Sequence, residues 1–190
     1  ACEAALAQAG DAADACRARL GITEGLRILD DIDAAPALVD EVQPVAEAQA
    51  LSEVLMRLHH LRGNLLFPKG DIAGCEDGHR QSIALARALG SAEGEARGLG
   101  GPGDAAYLAG RMRTAHDELQ RCVEICRAHG YGRTEVANAA QVCHAKIYGL
   151  ELRGALDLGR TVVESAHRVG HGRGQLIAVA ASLFAAIELG

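Results

Sequence analysis

Three sets of residues in this chain have types and spacings that can do chemistry. Residues 98–103 read GLGGPG and fit G-x-G-x-x-G, a string whose glycines let backbone amides close on a pyrophosphate where a strand turns into a helix. Cys122, Cys126 and His129 stand at i, i+4 and i+7 on one helix face, and Cys143 and His144 follow on the next helical stretch. Thiolates and imidazoles converging from two helices make a zinc-ligand set. Eight histidines, and carboxylate pairs such as Asp30–Asp31 and Asp117–Glu118, offer acid–base groups. No histidine sits in H-E-x-x-H, and there is no G-x-S-x-G, Walker A or C-x-x-C string.

Each of these chemistries depends on the element that carries it, and here the elements repeat. GDIAGCEDGHRQSIALARALG (70–90), GRMRTAHDELQRCVEICRAHG (110–130) and LELRGALDLGRTVVESAHRVG (150–170) align at a spacing of 40 residues. They close on Gly90, Gly130 and Gly170, and Ala35, Cys75, Ala115 and Ala155 share one small-residue register. Ile83, Ala86 and Gly90, like Val123, Cys126 and Gly130, fall at i, i+3 and i+7, the period of a helix face. Second helical stretches lie between these units at 52–67, 134–148 and 174–189, and no segment alternates as a strand does. Glycine is the left-handed residue that ends a helix. The pattern predicts an all-α fold, an αα-solenoid of antiparallel helix pairs. It would be a single domain over 1–190 of about four and a half repeats, with units near 12–50, 51–90, 91–130, 131–170 and 171–190.

The repeat decides among the candidate chemistries. GLGGPG falls inside the first helix of its pair with no strand before it, which removes the context a phosphate loop needs. Its glycines read instead as close-packing positions; Gly63, Gly103 and Cys143 share one such register. Pro102 lacks an N–H and crowds the preceding turn, at about 3 kcal/mol in a helix interior. The expectation is a kink or local unwinding at 98–103, with Asp104 capping a second piece. Cys75, Cys122, Cys126 and Cys143 occupy slots where sibling repeats carry small residues, so they read as buried free thiols rather than metal ligands or disulfides. The carboxylate pairs read as solvated faces or turn caps, and His79 and His116 as half-exposed packing. No catalytic residue, metal or cofactor is assigned, and the chain is read as not an enzyme.

Composition agrees. Of 190 residues 49% are hydrophobic but 3% aromatic, with 23 glycines, which suits closely approaching helices. A formal charge of −6 argues against a nucleic-acid surface. The apolar run at 177–187 has 11 residues, short of the roughly 20 that span a bilayer. The N-terminus lacks a signal-peptide pattern, so the expected location is cytoplasmic. The chain reads as a fragment of a longer protein.

LRGNLLFPKGDIAGCEDGHRQSIALARALG, with its small residue at Gly63, Gly70–Asp71 and a small residue at Cys75, resembles a tetratricopeptide unit. LRGNLLFPKGDI, GRMRTAHDELQRCVEICRAHGYGRTEVAN and LRGALDLG resemble the MalT-like tetratricopeptide region of bacterial multidomain class III adenylate/guanylate cyclase–ATPase signalling proteins. The resemblance covers residues 12–190. It implies a right-handed superhelix and a regulatory role, with the catalytic domains outside this chain. It also implies a partner groove on the first helix of each pair: Arg57, His60, Asn64 and Phe67, then Arg97, Asp104 and Tyr107, then His144 and Tyr148. The implied partner is a protein or peptide, other domains of the same polypeptide included. Terminal helices such as the one carrying Ile177, Ala180, Phe184 and Ile187 would stack on a further repeat or form a homodimer. The alternative is a small-ligand-sensing repeat domain of a MalT/LuxR-like transcription regulator, with its pocket at the Gly98–Gly103 break.

Overall fold

Helices form wherever the 40-residue pattern places them. The computed structural model describes residues 2–29, 31 and 33–190, and among these every regular element is helical. After α1 (Cys2–Ala7) come α2 (Ala12–Ile28), α3 (Ala35–Ala48), α4 (Ser52–Leu66) and α5 (Ile72–Ala88). Then follow α6 (Ala92–Leu108), α7 (Met112–His129), α8 (Gly132–Tyr148), α9 (Leu152–Val169) and α10 (Gly172–Leu189). A 3-10 turn, Phe67–Lys69, extends α4. Even-numbered helices are the first, or A, members of each pair and odd-numbered ones the B members. Asp30, one of the carboxylates singled out above, lies outside the described residues.

The connections repeat at half the predicted period. Ala50, Gly70, Gly90, Gly110, Gly130, Leu150, Gly170 and Gly190 all have positive φ, between 51° and 86°. In the turns from Asp31 to His171, the next amide reaches back five residues to a helical carbonyl: Asp31 to Leu26, Leu51 to Ala46, Asp71 to Leu66, and so on to His171 and Ala166, at 2.8–3.2 Å. This is the bond by which a left-handed residue satisfies the last carbonyls of a helix. From Leu51 onward the residue donating it also leads directly into the next helix. Asp71 caps the Gly74 N–H at 2.9 Å, Ser91 the Gly94 N–H at 3.1 Å and His171 the Gly174 N–H at 2.9 Å. Such short turns leave consecutive helices antiparallel.

The chain forms two compact units, 1–101 and 102–190. In the first, α2 to α5 enclose a core that includes Leu20, Val39, Leu58 and Leu61. In the second, α7 to α10 enclose Leu119, Val123, Val142 and Val162. Each unit is a stack of antiparallel pairs. The register Ala35, Cys75, Ala115 and Ala155 is buried at every occurrence, with 0–1% exposure.

The break expected at 98–103 is absent. α6 runs unbroken through Pro102, which is itself buried. Tertiary packing outweighs the cost of the proline, because the glycines around it admit large partners. A Cβ at Gly98 would stand 2.5 Å from Ile83 Cγ1, one at Gly101 1.9 Å from His79 Cδ2, and one at Gly103 2.6 Å from Leu119 Cγ. Asp104 caps nothing; its carboxylate accepts a hydrogen bond from Gln141.

Candidate functional site: polar clusters on the A-helix faces

Gly101 of GLGGPG packs against the side chain of His79. This imidazole is 1% exposed rather than half-exposed as the sequence suggests. Its ring fills a slot between two glycines, because a Cβ at Gly63 would come within 2.6 Å of it as one at Gly101 would within 1.9 Å. The register 39, 79, 119, 159 reads Val, His, Leu, Gly, and its partners are sized to match. His79 meets Gly63 and Gly101, Leu119 meets Gly103, and at Gly159 an added Cβ would meet Ser182 Oγ at 2.0 Å.

In the first unit the predicted groove residues Arg57, His60 and Arg97 come together around a cavity of about 310 Å³, between α2, α4, α5 and the start of α6. His60 Nε2 lies 3.1 Å from the Asn64 side-chain amide, and its ring meets that of His79 edge-on at 5.1 Å and 72°. Nδ1 of each histidine is buried without a hydrogen-bond partner. Burial holds both imidazoles neutral: His60 is lowered to about 3, helped by the nearby His79, and His79 to about 4. Arg97 pairs with Glu93 at 2.8 Å. Arg57 has no ion pair among the described residues. Phe67 sits apart in the 3-10 turn and does not line the cavity. Sequence reasoning missed Arg17 on α2 and the floor residue Ser82 on α5; a signal existed for the first, which precedes Arg57 by one 40-residue repeat as Arg57 precedes Arg97, and the second is a B-helix residue.

In the second unit Asp104, Tyr107, His144 and Tyr148 cluster on α6 and α8. Tyr107 Oη lies 3.4 Å from His144 Nδ1, and its ring packs edge-on against Tyr148 at 5.8 Å. Burial raises the Asp104 carboxyl above the usual range, opposed by the hydrogen bond from Gln141 at 3.3 Å and by the Arg173 charge. Burial, together with the hydrogen bond to Tyr148, pushes Tyr107 up to about 12. Gln141 was not singled out from sequence, although a signal existed. It follows Asp104 by 37 residues, as His144 follows Tyr107, which is one repeat less one helical turn. Beside this cluster a hollow of about 550 Å³ is lined by His144, Ile147, Tyr148, Leu150 and Phe184.

The thiols behave as small apolar residues. Cys122 and Cys126 are buried with their sulfurs 4.0 Å apart, and Cys143 Sγ donates to the Ala139 carbonyl at 3.3 Å. Burial pushes the Cys143 thiol up to about 12. His129 lies on the surface, stacked on Tyr131 at 5.6 Å, away from the buried sulfurs. The apolar run near the C-terminus belongs to a longer helix. α10 has 18 residues with Arg173 and Glu188 its only charges, and by length and composition it matches a membrane span. It packs on α9 and α8 through Gly174, Ala178, Ala181 and Ala185. Leu176, Leu183 and Ile187 are 60–70% exposed and Phe184 is 50%, whereas Ile177 packs against the core.

No family model matches this chain, and no curated protein matches it. Among solved structures it resembles a Signal Transduction ATPase with Numerous Domains (STAND) protein with a tetratricopeptide repeat sensor from Pyrococcus horikoshii. The TM-score is 0.76 at 13% identity, over 94% of this chain and 28% of that one. The chain thus spans little more than a quarter of that protein's length. It also resembles the tetratricopeptide-like repeats of a putative kinesin light chain from Podospora anserina, with a TM-score of 0.67 at 14% identity, over 89% of this chain and 84% of that one. These likenesses are of fold: the chain has the helical-repeat architecture of tetratricopeptide-like proteins.

Proposed function

We propose that this chain is a non-catalytic interaction scaffold, the tetratricopeptide-like region of a multidomain bacterial signalling protein of the cyclase–ATPase type, acting in the cytoplasm. Its partner would be a protein or peptide segment, with other domains of the same polypeptide among the candidates. The observation that carries this reading is the placement of Tyr107, His144 and Tyr148 with Asp104 and Gln141 on two neighbouring A-helices. They form a cluster of rings with polar edges beside an apolar hollow. Aromatic side chains supply contact area at low entropic cost while their polar edges fix orientation. The likeness to an ATPase with a tetratricopeptide sensor supports the signalling context.

On this reading the exposed face of α10 receives a further helix or a second copy of the chain. A defined peptide library displayed on phage and selected against the purified chain tests the scaffold. Selected peptides should lose at least about tenfold in affinity on Tyr107→Ala, a typical cost of truncating an aromatic anchor. Equal binding to the variant, or turnover of a nucleotide triphosphate by the purified chain, would refute the assignment.

A further inference from the structure

The first-unit cavity carries chemistry that a scaffold does not require. Three guanidinium side chains line it, from Arg17, Arg57 and Arg97, against two carboxylates, Glu53 and Glu93. Arg17 is held by Asp14 and Arg97 by Glu93, while Arg57 has no ion pair among the described residues. His60 also lines the cavity, its Nε2 3.1 Å from the Asn64 side-chain amide. The rest of the wall includes Leu20, Val54 and Met56, which offer no hydrogen bonds. A volume of about 310 Å³ matches the lower end of small-molecule sites.

We propose that this cavity binds a small amphiphilic monoanion. A carboxylate or similar head group would sit at Arg57, beside Arg97, and a short apolar body would lie against Leu20, Val54 and Met56. Arg17 and Arg97 already have carboxylate partners in Asp14 and Glu93, so Arg57 is the lining guanidinium without an ion pair among the described residues, which suits a single negative charge. Guanidinium is the side chain suited to planar carboxylate recognition. The site is distinct from the α6–α8 cluster and does not depend on it.

The test is titration of the purified, isotope-labelled chain with hexanoate, its uncharged match hexanamide, and inorganic phosphate, followed by two-dimensional amide NMR. Saturable shifts confined to α2, α4 and the start of α6 are expected with hexanoate, with at least about tenfold weaker binding of hexanamide and of phosphate. Arg57→Gln should lose at least about tenfold in hexanoate affinity, whereas Arg113→Gln, on α7, leaves it unchanged. Glu93→Gln frees Arg97 and should tighten binding several-fold, a gain that a misfolded variant cannot imitate. Equal binding of hexanoate and hexanamide, equal binding of phosphate, or an Arg57→Gln variant that binds as the parent does would overturn the proposal. A chain that captures peptide through Tyr107 yet ignores hexanoate refutes only this inference, and the converse result refutes only the scaffold.

Discussion

At the scale of single residues, side-chain size at one register is matched by its absence at another. His79 occupies space that Gly63 and Gly101 leave open, so the cost of altering one depends on the other. Gly101→Ala places a methyl group against the imidazole and should destabilise by about 2–3 kcal/mol, the range of overpacked cores. His79→Ala leaves a cavity and costs a similar amount. The double variant should be more stable than the sum of the two by at least about 1 kcal/mol in a denaturant-melt cycle; additive costs would refute the slot. The same imidazole makes the protein acid-sensitive. His79 and His60 are held neutral, at about 4 and about 3, below the ordinary value of about 6.5. The unfolded chain therefore binds more protons below about pH 6.5, and the stability present above that pH is lost as pH falls toward 4. Each histidine contributes a slope of up to about 1.4 kcal/mol per pH unit. His79→Leu, the residue its register carries at Leu119, should remove about half of the slope between pH 6 and 5. An unchanged slope would mean that His79 is not the buried neutral group described here. Leu150 presents a simpler case: it holds φ 61° at a position where most siblings have glycine, and its side chain is 83% exposed. Left-handed backbone costs a leucine roughly 1–2 kcal/mol, so Leu150→Gly should raise stability by about 1 kcal/mol, read from the denaturation midpoint.

At the scale of the element, the same chemical change has opposite signs in different helices. Gly25, on α2, would show nothing within 4 Å of an added Cβ, so Gly25→Ala should gain about 0.5–1 kcal/mol of helix propensity where Gly101→Ala loses. A destabilised Gly25→Ala would show that α2 packs differently from the arrangement described. Helix α6 also marks where the sequence is legible and where it is not. Its end follows from Gly110, as the end of the helix before it follows from Gly90. Its continuity through Pro102 does not, because the compensation comes from His79, Ile83 and Leu119, on other helices. A local rule such as the proline penalty is overruled here by contacts that a single segment cannot reveal. The burial of His79 was hidden for the same reason: its two glycines lie 16 residues before it and 22 after it. By contrast Arg57, His60 and Arg97 do line one cavity, because position along an amphipathic helix is local information. Phe67 falls outside that cavity because the helix tightens into a 3-10 turn at Pro68, which register alone does not show.

At the scale of the whole molecule, from Ala35 onward the chain repeats a helix closed by a left-handed residue every twenty positions. A core poor in aromatics, packed from Ala, Val, Leu and Cys, lets these helices approach closely enough for glycines to act as sockets. The measurement that tests this account most directly is a complete backbone NMR assignment with Cα secondary shifts. The expected result is helical shifts broken at residues 50, 70, 90, 110, 130, 150 and 170, and unbroken from Ala92 to Leu108, with no response of residues 98–103 to ATP. Coil or strand shifts at 98–103, or shifts there on adding ATP, would contradict it.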